Sequence, residues 1–118
     1  MKKVIDNRTG ERTCTLIKLS AEKKIPIVTR NQSSVISILH EAKRLGAEIP
    51  QPISIADIMS DMAFHNVPGL DGLTNVIIDD IEYVMQEILR MRGIDNIEAF
   101  SICTSNSNDE IILCTQSI

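Results

Sequence analysis

A chain of 118 residues is long enough for one domain, taken here as residues 1–118, and too short for two. Its hydrophobic content of 43% supports a real core, but aromatics are only 3% and Trp is absent, which argues against stacking on single-stranded nucleic acid. The net charge of -4 and three short basic clusters, Lys2-Lys3, Lys23-Lys24 and Lys43-Arg44, supply no field for a phosphate backbone, so nucleic acid is not an expected partner.

Three cysteines, Cys14, Cys103 and Cys114, are odd in number and widely spaced, with no Cys-x-x-Cys pair. That pattern argues against a zinc site and for a reducing, cytoplasmic compartment. Residues 1–6 carry basic side chains with no long apolar stretch behind them, so they do not read as a secretory signal. No window approaches the length of a membrane span.

In chain order, Lys3-Val4-Ile5 suggests a first strand, and Asp6-Asn7-Arg8-Thr9-Gly10 is rich in turn formers. A helical pattern begins at Arg12, with Thr13, Leu16, Ile17 and Ser20 on one side, and closes near Lys23-Lys24. Residues 25–30, Ile-Pro-Ile-Val-Thr-Arg, read as a second strand. Asn31 or Ser33 can cap the next helix, whose buried face is Val35, Ile38, Leu39, Ala42 and Leu45, with Gly46 at the left-handed stop.

Pro50 and Pro52 force an extended stretch, and Ile53 can add a short strand. Ser54-Ile55-Ala56-Asp57 has the form of a capping box before a short helix with Ile55, Ile58, Met59 and Met62 on one side. Residues 64–74 hold Pro68, Gly69 and Gly72 and read as a long surface loop available to a partner. Val76-Ile77-Ile78 then reads as the central strand, buried on both faces. Asp79-Asp80 follows, with Asp80 placed to cap a helix striped by Ile81, Val84, Met85, Ile88 and Leu89 and stopped by Gly93. Residues 97–104 and 110–116 read as two strands joined by the turn Ser105-Asn106-Ser107-Asn108-Asp109, an antiparallel hairpin. Alternating strands and helices predict a three-layer α/β fold, a mostly parallel sheet with helices on both faces and that hairpin at the C-terminus.

Ligands of open α/β sheets bind at the carboxyl ends of the strands, where Asp79 and Asp80 stand. An ordinary helix cap explains Asp80 alone; it does not explain two acids together. His40 and His65 stand alone, and no Ser–His–Asp order or His-Glu-x-x-His spacing is present.

Two segments align with a known pattern. Thr9-Gly10-Glu11-Arg12-Thr13-Cys14-Thr15-Leu16-Ile17 lies between a strand and a helix, and Val76-Ile77-Ile78-Asp79-Asp80 is a hydrophobic strand ending in acids. From Arg8 to about Ser101 the chain resembles small P-loop NTPase-like proteins carried by phages and prophages, in which a Gly-Lys-Thr-Thr or Gly-Arg-Thr-Thr segment precedes a Leu-Ile helix and a "VLIDD" strand supplies the Walker B acids. The resemblance implies a P-loop NTPase-like fold that binds ATP or GTP with Mg2+. Gly10, Arg12 and Thr13 would contact the nucleotide, Thr13 and Asp79 the metal, and Asp80 would act catalytically by orienting water. Setting Arg12-Thr13 on the Lys-Thr positions puts Asp6 and Glu11 where the motif has its glycines, and Glu11 would repel a triphosphate. The expectation is therefore a degenerate nucleotide-binding protein with weak or no hydrolysis. The alternative is a non-catalytic interaction module on the same fold, with a protein partner or a second copy of the chain. No membrane partner is expected.

Overall fold

Ile27, Val28 and Thr29 are consecutive and all buried, so their strand must be covered on both faces. A computed structural model of the protein describes residues 1–6, 9–60, 72–102 and 110–114. In order, the elements are β1 (Lys2–Asp6), α1 (Thr9–Lys23), β2 (Ile27–Thr29), α2 (Gln32–Arg44), β3 (Ile53–Ser54), α3 (Ile55–Met59), β4 (Ile77–Ile78), α4 (Ile81–Arg90) and β5 (Glu110–Cys114). Three strands form a parallel sheet in the order β3-β2-β4, with Val28 opposite Ile53 on one side and Ile78 on the other. β1 and β5 form a separate parallel pair, in which Lys2 lies opposite Glu110 and their side chains approach to 3.6 Å.

Side chains alternate across a strand, and β2 uses both sides. Ile27 joins Leu16 and Ile17 of α1, Ile38 and Ala42 of α2, and Ile77 of β4 in one apolar cluster, against which Val4 of β1 also packs. Val28 joins Ile55 of α3 and Val84 of α4 in the other, with Ile58 and Ile88 against them. The parallel sheet thus carries α1 and α2 on one face and α3 and α4 on the opposite one, as expected for this class.

Local chemistry sets the helix ends. Asn31 accepts a hydrogen bond from the Ser34 backbone N–H at 2.9 Å and opens α2. Gly46, at φ 68°, closes it: the Gly46 and Ala47 amides donate to the Lys43 and Ala42 carbonyls, satisfying groups the helix leaves unpaired. The Ser54 hydroxyl accepts from the Asp57 amide at 3.4 Å ahead of α3.

Four expectations change. Among the described residues β4 is an edge strand of its sheet, not the central one; β2 takes that place. Ile77 is buried, while Val76 and Ile78 are exposed, because one face of an edge strand lacks a full cover. Residues 97–102 form no strand, and β5 pairs in parallel with β1, so the antiparallel hairpin is absent among the described residues. α1 begins at Thr9, leaving only residues 7 and 8 between β1 and the helix, and Gly10 lies within its first turn instead of in a loop ahead of it. The 105–109 turn, Met62, His65 and most of the 64–74 loop lie outside the described residues.

Candidate functional site

The site is built at the C-terminal ends of β2 and β4. The Asp79 amide donates to the Val28 carbonyl at 2.9 Å, which continues the parallel ladder and brings Asp79 beside Thr29. Both strands exhaust their apolar residues here, so the next side chains are polar: Thr29 closing β2 and Arg30 after it, Asp79 and Asp80 after β4.

Asp80 stands at the N-cap position of α4 but makes no capping hydrogen bond. Its backbone is left-handed, at φ 61° and ψ 73°, a conformation that costs a residue with a Cβ about 1–2 kcal/mol. The carboxylate instead accepts from Arg12 Nη2 of α1 at 3.5 Å. Both side chains are largely buried, 25% exposed for Arg12 and 19% for Asp80. Arg12 Nε is buried and has no hydrogen-bond partner among the described residues. Among the described residues the guanidinium is held by one long contact, which leaves donor capacity unused.

Asp79 is half-buried. Burial, and then the neighbouring Asp80 charge, push its carboxyl above the ordinary aspartate value; Arg12, a hydrogen bond from Thr29 and Arg30 pull the other way without cancelling the rise. Arg30 lies over the ring of Tyr83 on α4, with 4.5 Å from its guanidinium carbon to the ring centroid. Arg12, Thr29, Arg30, Asp79, Asp80 and Tyr83 therefore gather on one end of the sheet.

Of the residues singled out from the sequence, the fold brings Arg12, Asp79 and Asp80 together. Thr13 follows Arg12 in α1 and is half-buried. Gly10 is helical and gives no turn for an anion. Thr29, Arg30 and Tyr83 escaped sequence reasoning; the signal available was the switch to polar residues directly after the apolar run of β2, whose meaning depends on β4 being its neighbour.

Among the described residues no cluster of three or more His, Cys, Asp or Glu side chains can hold a metal. Two adjacent carboxylates could supply only part of an Mg2+ octahedron, with water or the oxygens of a bound ligand filling the remaining positions. A second polar group lies apart on the α1–α2 face: the Cys14 thiol donates to Glu41 at 3.4 Å, and Glu41 is also held by Arg44. Burial and the Glu41 carboxylate push the Cys14 thiol up, away from thiolate reactivity. No described helix is long and apolar enough to cross a membrane.

In comparisons with known proteins, no family model, curated protein or solved structure matches the chain.

Proposed function

We propose that the protein binds a nucleoside triphosphate with Mg2+ through a degenerate P-loop-type site and hydrolyses it weakly or not at all. The observation that carries this reading is the meeting of Arg12, from the first turns of α1, with Asp79 and Asp80 at the carboxyl end of β4. Opposite charges at the strand ends of a parallel sheet are what a magnesium phosphate needs. Arg12, with its unpaired Nε, would take phosphate oxygens; Asp79, with Thr13, would face the metal; Asp80, released from Arg12, would hold water. Weak turnover follows from the missing glycines and from a helix that starts at Thr9, two residues after β1, leaving no wide loop of backbone amides around the phosphates. A phage or prophage origin belongs to the same reading.

Isothermal calorimetry with ATP or GTP and Mg2+ tests it. Heat saturating at or below millimolar nucleotide is expected, lost in Arg12→Ala with the helical circular dichroism retained. No heat at millimolar nucleotide overturns it.

A second reading, a non-catalytic interaction module, is favoured by a different observation: apolar side chains stay exposed along β4 and α4, among them Val76, Ile78, Ile81 and Met85.

A further inference from the structure

The apolar stripe of α4 is wider than the surface it covers. Val84 is 2% exposed and Ile88 packs in the same cluster, yet Ile81 and Met85, on the adjoining side of the helix, stand 49% and 43% exposed. Next to them β4 forms the edge of its sheet, and among the described residues β2 is its only strand partner. Val76 and Ile78, alternate residues and therefore on one side of the chain, are exposed beside that edge. An open strand edge flanked by uncovered aliphatic side chains is a seat for one more strand.

The chain also carries a segment that fits the seat. Residues 97–102, Ile-Glu-Ala-Phe-Ser-Ile, contain no Gly or Pro and have strand character. They form no strand, and Phe100 and Ile102, which alternate onto one side of an extended chain, are 58% and 57% exposed. Among the described residues, seat and segment are thus both unsatisfied in one molecule.

We infer that the protein forms a symmetric dimer by exchange, in which residues 97–102 of each copy add to the β4 edge of the other and lay Phe100 and Ile102 against Ile78, Ile81 and Met85. Reciprocal exchange pairs both edges and covers both apolar surfaces at once, so the assembly closes at two copies. The inference gives a partner to the interaction-module reading and rests on that reading; a failed nucleotide titration leaves it untouched.

Sedimentation equilibrium over micromolar to submillimolar concentrations tests it. The expected mass is twice that of the 13.1 kDa chain. Phe100→Asp and Ile78→Lys each shift the mass to that of one chain, with the far-ultraviolet spectrum unchanged. Should Ile78→Lys lower the helix signal, Met85→Lys on the surface of α4 takes its place. Mixing the Phe100→Asp and Ile78→Lys chains restores the dimer mass, since the intact edge of the first accepts the intact segment of the second. A single-chain mass for the unmodified protein at every concentration overturns the inference and leaves docking within one chain as the use of the seat. A dimer indifferent to both substitutions, or variants that fail to complement, also overturns it.

Discussion

Arg12 Nη2 meets Asp80 Oδ2 at 3.5 Å across 68 positions of chain, and this contact takes the place of the helix cap that Asp80 is positioned to make. The carboxylate reaches Arg12 from a left-handed backbone, so charge pairing and backbone conformation act on one residue in opposite directions. Asp80→Asn keeps a side chain that tolerates the left-handed region but removes the charge that Arg12 pairs with, leaving, among the described residues, only the Asp79 carboxylate near it; the expected loss is about 1 kcal/mol. Asp80→Ala loses the charge and the tolerance together, for about 2–3 kcal/mol. Asp80→Gly should fall near Asn, because glycine adopts this backbone freely. Urea unfolding ranks the three; equal losses for Asn and Ala would show that the backbone conformation carries no cost.

Asp79 sets a pH dependence of definite sign. Its folded-state carboxyl lies above the ordinary value of 3.8, first through burial and then through Asp80. The folded chain therefore holds this proton to higher pH than the unfolded chain does. The stability it contributes is fully present below the unfolded value and is lost as pH rises through the folded one. Arg12, Arg30 and the Thr29 hydroxyl facing the same carboxylate limit the loss. In Asp79→Asn this part of the pH slope disappears, and at neutral pH the variant unfolds at higher urea than the unmodified chain. Thr29→Val removes the donor while keeping the shape, and at neutral pH should cost about 1.5–3 kcal/mol, the range for a hydrogen bond to a charged group. An Asp79→Asn chain with an unchanged slope would place the titration elsewhere.

Local signals were the legible ones. Asn31, the spacing of Val35, Ile38 and Ala42, and Gly46 define α2 from the sequence alone, because cap, stripe and stop all lie within one element. The helix end near Lys23-Lys24 was legible for the same reason; Lys24 adopts φ 57° there. Strand order was not. Val76-Ile77-Ile78 has the composition of a strand covered on both faces, yet only its neighbours decide whether it is central or an edge, and they are far away in sequence. Residues 97–102 show the converse: strand character is local, pairing is not. The acid pair was visible as a candidate site, but Thr29 and Arg30 join it only through the parallel pairing of β2 with β4, and the turning of Asp80 toward Arg12 depends on where α1 packs.

Ser20 shows a polar residue used inside an apolar face. It is fully buried in α1, and its hydroxyl donates to the Ile25 carbonyl at 2.6 Å, tying the end of the helix to the approach to β2. Ser20→Ala leaves that carbonyl without its partner and should cost about 1–2 kcal/mol. Ser20→Thr keeps the hydroxyl but adds a methyl in a site with no exposed surface, and overpacking of this kind costs about 1–3 kcal/mol. Thermal unfolding monitored at the helix signal reads both; a neutral Ser20→Ala would mean that water reaches the Ile25 carbonyl.

The two sides of the α4 stripe should respond differently to truncation. Val84 is enclosed by Val28 and Ile55, so Val84→Ala opens a void between α4 and the sheet and should cost about 2 kcal/mol. Met85 is one residue further round the helix and exposed, so Met85→Ala should change the stability of a single chain by less than about 0.5 kcal/mol. Denaturant unfolding at two protein concentrations separates packing within the chain from contact between copies. The Val84→Ala loss is the same at both, because its partners are in the same molecule. The Met85→Ala loss is absent in the dilute sample and grows in the concentrated one, because in the exchanged dimer the cover over this side of α4 comes from the other copy and is lost on dilution. A concentration-independent loss at Met85 equal to that at Val84 would mean that α4 is already enclosed on both sides within one chain.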